Sequence, residues 1–463
     1  MYDTPRVLVP HAASDRILRF LTGFSILMIL LSLVIAPIDT VLTGLYRICV
    51  TPMRLMTDAC VIGGTNGALL NAGLIGLISV AIYYFAGVAL DGRHIGTYFH
   101  AVGISFFGKN ILNFWPLIVG VYLYARYKKE PFKNHAHTAL FAGALSACVS
   151  EIAFSSYLNL PLAVSAPLAV AAGVLLGFVI VPLSAHTQRM HRGYNLYNMG
   201  LAAGLVAFVA YSIYRTFVLT PLGVTESATL NAHLLDDHAP ALVTFFGLLF
   251  AYCLVRGFLM NGKSFRGYGK LLNTTGYHED YLAEFGLPLV LINFGLLGLM
   301  SLLYFLLVGA QFTGLTIGSI ACLVCWCALG STPKNVFPIL CGYTLVSFFA
   351  TWSLNSQLIC IGLCFATGLA PIAGRYGFLA GLAAGALHAC CVSYTAAFHG
   401  GFNLYNGGFT SGLVAIVLVP VLGALKKPRE NPVEPVSAEV GVAEAAPAAE
   451  AGDANASDSV TLE

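Results

Sequence analysis

Two copies of one polar sequence hold most of the side chains that could do chemistry. His191-Arg192-Gly193-Tyr194-Asn195-Leu196-Tyr197-Asn198 returns as His399-Gly400-Gly401-Phe402-Asn403-Leu404-Tyr405-Asn406. Over 191–207 against 399–415, eleven of seventeen positions are identical, where chance would give about one, so the chain is internally duplicated. Asn195, Tyr197 and Asn198, with Asn403, Tyr405 and Asn406, offer donors and acceptors without formal charge. They can read a polar solute, or gate its path, without carrying a charge into lipid. The flanking glycines permit unwound backbone. A polar stretch repeated ahead of two long apolar runs points to a transporter binding site. The plainer alternative is a helix cap, but a cap needs one residue and some eight positions recur here.

A second pair is Lys109-Asn110 and Lys334-Asn335, which correspond if three residues of slip are allowed. Each lysine starts a helix after a short segment, so both would meet an anion if those segments end inside the membrane. The alternative is a lysine snorkelling to the headgroups. Asn71 and Asn293 stand two residues before Gly73 and Gly295 inside apolar runs, where polar residues with small neighbours join helices. Glu151 and His388 are ionisable groups within apolar segments, a costly placement that marks them for proton or cation coupling. Asp39 is expected at the interface. No metal site is expected. Cys322, Cys325, Cys327, Cys390 and Cys391 lack polar support and read as small apolar filler. His191 and His399 are expected at opposite membrane faces, too far apart to share a metal. No catalytic signature is present, so neither an enzyme nor a cofactor is expected.

The elements that must position these residues follow from composition. Of 463 residues, 58% are hydrophobic and 10% charged, against about 25% charged in a soluble domain. The solvent must be lipid, and nothing suggests nucleic acid. Runs of about 20 apolar residues span a bilayer. Such runs fall near 17–44, 65–90, 95–108, 110–126, 137–156, 161–185, 196–218, 239–261, 285–309, 314–330, 335–352, 354–373, 376–397 and 404–425. The third and tenth are short or broken. With fourteen crossings and a cytoplasmic N-terminus, 19 of the 23 Lys and Arg lie inside, as the positive-inside rule asks. If segments three and ten alone dip and return, the split is 11 against 12.

The duplication extends to Asn71–Ser79 against Asn293–Ser301 and to Asn113, Pro116 and Gly120 against Asn335, Pro338 and Gly342, all 222 apart. The offset falls to 208 at the motif, a change expected in the basic loop 127–136. Matching segments are seven apart, and seven is odd. The fold expected is therefore an all-α integral membrane protein of two inverted seven-helix repeats. Its parts are a cytoplasmic segment 1–16, repeat one over 17–235, repeat two over 236–425 and an acidic tail 426–463. The tail is too polar to bury a core and is expected to be disordered. The segment after Arg19 is too long for a signal peptide and is expected to remain as the first span.

With the repeated His-x-Gly-(Tyr/Phe)-Asn-Leu-Tyr-Asn, the chain resembles a family of bacterial polytopic membrane proteins known as a domain of unknown function. The resemblance covers roughly residues 15–425 and implies no substrate. The seven-plus-seven inverted plan is also similar to that of nucleobase and anion exchangers, whose third and tenth helices are broken at the midplane, although none of their substrate motifs is present. Function is expected to be secondary transport of a small polar or anionic solute across the bacterial cytoplasmic membrane, both termini inside. Proton or Na⁺ coupling and a homodimer fit the plan. The alternatives are a passive channel, an integral-membrane enzyme on a lipid-linked substrate, or a scaffold subunit of a larger complex.

Overall fold

The structure, a computed structural model, describes residues 11–55, 57–218 and 239–430. The acidic tail from 431 onward lies outside the described residues, as does most of the N-terminal segment. All regular structure among the described residues is helical. The first half runs α1 (His11–Ile35), α2 (Ile38–Val50), α3 (Ala59–Phe85), α4 (Gly92–Ile104), α5 (Trp115–Tyr127), α6 (Ala136–Ala142), α7 (Ser146–Phe154), α8 (Leu162–Met190) and α9 (Asn198–Phe217). The second runs α10 (Ala239–Met260), α11 (Tyr268–Leu272), α12 (Tyr281–Leu307), α13 (Gly314–Val324), α14 (Pro333–Ser347), α15 (Gln357–Ala366), α16 (Ala370–Tyr376), α17 (Phe378–Phe398) and α18 (Asn406–Leu425).

Among the described residues ten helices are long and apolar enough to cross a membrane, α6–α7 and α15–α16 each counting as one interrupted span. This is a multi-pass membrane protein. Its polarity is inside out: Val34, Phe85, Phe217 and Phe349 are more than 80% exposed, while Asn71, Lys109 and Asn293 are fully buried. In lipid the apolar surface needs no cover, and the polar groups must find partners inside. The other four expected segments are α4, α5, α13 and α14. At 13, 13, 11 and 15 residues they are short, since 13 residues rise about 20 Å. The stretch 17–44 is broken at Pro37, which ends α1 and starts the separate helix α2.

The duplication is repeated bond for bond. Gly64 kinks α3 with φ 72° and ψ 161°, and Gly286 kinks α12 with φ 78° and ψ 167°. Asn71 Nδ2 donates to the carbonyls of Ser105 and Lys109, and Asn293 Nδ2 to those of Cys327 and Ser331. Asn113 donates to Gly108 O as Asn335 does to Gly330 O. Every one of these pairs is 222 apart. The register therefore sets Ser331, not Lys334, opposite Lys109, and the three-residue slip is not needed.

The change of offset also moves. Leu404 N donates to Ala144 O and Leu196 N to Gly368 O, an offset of 224 at the interruption of the broken helices. Asn198 Nδ2 donates to Ser184 O and Asn406 Nδ2 to Val392 O, an offset of 208. The extra residues of the first half thus lie between α7 and the body of α8, not in loop 127–136. There a 3-10 turn, Ser156–Leu158, leads into a 29-residue helix, where the second half turns on Gly377 into a 21-residue helix.

The halves interlock where α4 and α13 cross antiparallel. A Cβ on Gly103 would stand 2.5 Å from Gly318 O, and one on Gly96 2.7 Å from Cys325 O, so only glycine permits the approach. Two aspartates tie the halves together. Asp58 caps α3 through Cys60 N at 2.7 Å and also accepts from Leu315 N at the start of α13, at 3.4 Å. Asp280 caps α12 through Leu282 N and accepts from Gly92 N at the start of α4. Each carboxylate complements the positive ends of two helices, one from each half.

Candidate functional site

The two polar motifs begin α9 and α18, and each folds on itself in the same way. The amide of Asn195 donates to His191 Nδ1 at 3.3 Å, and His191 Nε2 pairs with Asn198 Oδ1 at 2.9 Å. Asn403, His399 and Asn406 repeat this at 3.4 and 3.0 Å. Each imidazole therefore accepts at Nδ1 and donates at Nε2, so it is neutral and fully used. Asn195 Oδ1 and Asn403 Oδ1 each accept the amide of the tyrosine two residues on, at 2.9 Å. These side chains stand in for the backbone ladder that the turn interrupts.

The expected separation of the motifs does not hold. Asn195 Nδ2 donates to Gly408 O at 3.2 Å and Asn403 Nδ2 to Gly200 O at 3.4 Å. The Tyr197 and Tyr405 rings lie 5.2 Å apart. Gly200 and Gly408, equivalent at offset 208, make direct backbone contact. Both motifs are central, and α9 and α18 leave that point in opposite chain directions. Among the described residues no group of three potential metal ligands forms.

The two tyrosines then differ. Tyr197 points its hydroxyl at Cys322 O (3.0 Å) and Cys364 O (3.3 Å), with Thr367 Oγ1 at 3.4 Å. At the equivalent places around Tyr405 stand His100, Leu140 and Gly143. Leu140 O is taken by Lys109 Nζ at 3.0 Å, and the His100 and Tyr405 rings lie 4.1 Å apart. Both ring nitrogens of His100 are buried without a hydrogen-bond partner, while the Trp326 indole N–H and the Tyr405 hydroxyl face one another. Phe141 stacks at 11° on both Trp326 and Tyr405. Lys109 is fully buried and within electrostatic reach of His100; it has no ion-pair partner among the described residues.

The remaining expected residues separate by role. Lys334 is exposed and donates to Asn273 Oδ1 at 2.5 Å, so only one of the two lysines enters the interior. Asn110 accepts from Leu112 N and Asn113 N and donates to Ile48 O; Asn335 accepts from Thr332 N and donates to Gly330 O. With Asn71 and Asn293, these side chains hold the non-helical tips between α4 and α5 and between α13 and α14. Glu151 is ion-paired with buried Arg54 and accepts from Tyr214 OH at 3.3 Å. His388 pairs with Tyr343 OH at 2.6 Å and with Gly407 O at 2.9 Å. Asp39 is exposed on α2.

A family described as a protein of unknown function, DUF1576, matches residues 38–216 and 260–424. The chain belongs to the DUF1576 family. The two matched stretches begin 222 apart and end 208 apart, the offsets that relate the halves. No curated protein and no solved structure matches the chain.

In this DUF1576 chain the site holds three residues that motif reading missed. His100 is an ionisable residue inside a 13-residue buried helix, a signal open to the reasoning that picked out His388. Trp326 sits among the cysteines treated as filler. Phe141 carries no signal of its own, because an apolar ring in an apolar helix looks like any other core residue.

Proposed function

We propose that this protein is a secondary transporter for a small polar or anionic solute, with two repeats inverted across the membrane and the solute held between them. The observation that carries this is the buried Lys109 without a counter-charge, beside unpartnered polar atoms where the two motif copies meet. A buried cation costs several kcal/mol unless paired, and an anionic solute would supply the pair.

The surroundings agree with alternating access. Arg54, paired with Glu151, lies with its Cζ 5.3 Å from the Phe402 ring beside one motif. Arg375 lies 5.8 Å from Tyr194 of the other motif and 4.5 Å from Tyr277. In this reading these arginine–aromatic contacts act as the two gates, one at each end of the solute path. Coupling through Glu151 would require its pair with Arg54 to break during the cycle, and coupling through His388 would require release of Tyr343. In this reading both termini and most Lys and Arg face the cytoplasm of a bacterium.

Single cysteines at Leu112 and Lys334 test the inversion, since the two positions are equivalent at offset 222 and both are exposed. Membrane-impermeant maleimide should reach Leu112→Cys from outside and Lys334→Cys from inside. Labelling from one face would make the repeats parallel and remove alternating access of this kind. Uptake and counterflow of radiolabelled carboxylates, nucleobases and amino acids in proteoliposomes then tests transport itself.

A further inference from the structure

We propose that the unsymmetrical half of the central cluster, built by Lys109, His100, Trp326 and Tyr405, is a binding site for a small monocarboxylate with a flat, apolar body. This rests on the transport reading and deepens it by naming the solute class.

The duplication supplies the argument. Around Tyr197 the hydroxyl is satisfied by two carbonyls and Thr367, and the positions equivalent to Lys109 and His100 carry the uncharged Ser331, whose own hydroxyl is buried without a partner, and Cys322. Around Tyr405 the same scaffold carries an ammonium and an imidazole instead: the ammonium reaches only the Leu140 carbonyl, and both imidazole nitrogens are left without partners. A buried polar group without a partner loses its hydration and recovers nothing, at one to a few kcal/mol each. Both ring nitrogens of His100 stand in this state beside a cation with no counter-charge, a cost that a bound ligand would remove.

The donor set defines that ligand. The Lys109 ammonium, Trp326 N–H and Tyr405 O–H all donate, and a neutral His100 adds one N–H and one acceptor. No carboxylate faces them among the described residues. A group with several acceptor sites and one negative charge fits, which is a carboxylate. One cation favours a monoanion over a phosphate dianion. The walls are ring faces: Phe141, Trp326, Tyr405 and Tyr197, with Phe365 5.0 Å from Tyr405. Such faces suit an aromatic or conjugated body. The rings now lie 4.1–6.4 Å from one another, so the ligand enters by parting them, as expected of a site that opens during a transport cycle.

The test uses Trp326 as its own reporter. The chain has three tryptophans, and Trp115→Phe with Trp352→Phe leaves Trp326 alone in the full-length protein in nanodiscs. Benzoate should change its emission saturably. Acetate should bind at least tenfold more weakly, and benzamide, the uncharged analogue, should have no effect. Lys109→Met should abolish the benzoate response. Tyr405→Phe, which removes a hydroxyl facing only the Trp326 indole N–H, should weaken it about five- to tenfold with thermal stability kept, and serves if Lys109→Met does not fold. Ser331→Ala, at the equivalent place in the closed half, should leave binding unchanged. The inference is overturned if benzamide matches benzoate, if Lys109→Met binds within twofold of the native protein, or if no anion perturbs Trp326. Binding needs no gradient, so a protein that binds benzoate but moves nothing across vesicles loses the transport reading alone. Transport of another solute without benzoate binding removes the carboxylate site alone.

Discussion

At the scale of single residues, the asparagines of the two tips show what a buried polar group does when its bonds are complete. Asn71 and Asn293 each give both amide hydrogens to two carbonyls of a non-helical tip. Asn293→Ala strands those carbonyls and should cost about 2–4 kcal/mol, read as a lower Tm in detergent with no loss of membrane insertion. Glu151 also belongs to the scaffold, through its ion pair with Arg54. Glu151→Gln leaves the Arg54 guanidinium buried and uncompensated, a loss of about 3–5 kcal/mol. Replacing both partners, Arg54→Met with Glu151→Leu, should recover most of it. Thermal unfolding of the single and double variants checks this, and a double variant no better than the single would mean that the pair itself is not what holds that end together.

At the scale of elements, the short helices α4 and α13 are held by groups that do not belong to their own half. The Asp58 carboxyl, which precedes α3, is pushed up to about 6 by burial, against the pull of the Cys60 and Leu315 amides and the Thr313 hydroxyl. A carboxyl whose folded pKa lies above its unfolded value stabilises the fold at low pH, and that contribution is lost as pH rises through about 6. Tm should therefore fall between pH 3 and pH 7 by an amount that Asp58→Asn removes, corresponding to at most about 3 kcal/mol. A slope unchanged in Asp58→Asn would place the titration elsewhere. The same crossing explains why Gly103 and Gly318 are glycines: Gly103→Val would force α4 off α13 and should abolish stable expression.

At the scale of the whole molecule, neither half is complete. Each half supplies the aspartate that caps the other's short helix, and each motif donates an amide hydrogen to the other's first helical turn. The chain cut between residues 218 and 239 should therefore yield two halves that co-purify when expressed together, while either alone is degraded. Recovery of one half as a folded, monodisperse species would contradict this interlock. The interlock also bears on motion. Because the caps bridge the halves, any rocking of one against the other must exchange or release the hydrogen bonds of Asp58 and Asp280.

Much of this was legible in the chain. With 10% charged residues the solvent had to be lipid, and the offsets of 222 and 208 marked two copies of one helical unit, ten of whose apolar runs are helices long enough to span. Those features are local or periodic, so they survive without tertiary structure. Other features depended on which backbone atoms meet. Asn71 reaching Lys109 O, and Asn293 reaching Ser331 O, set the register that parts Lys109 from Lys334. Whether the twin motifs lie apart or together turned on the crossing at Gly200 and Gly408. The unpartnered ring nitrogens of His100, and the meeting of Trp326 with Tyr405, exist only once three distant segments are packed, because a missing hydrogen bond is a property of a neighbourhood and no residue announces it alone.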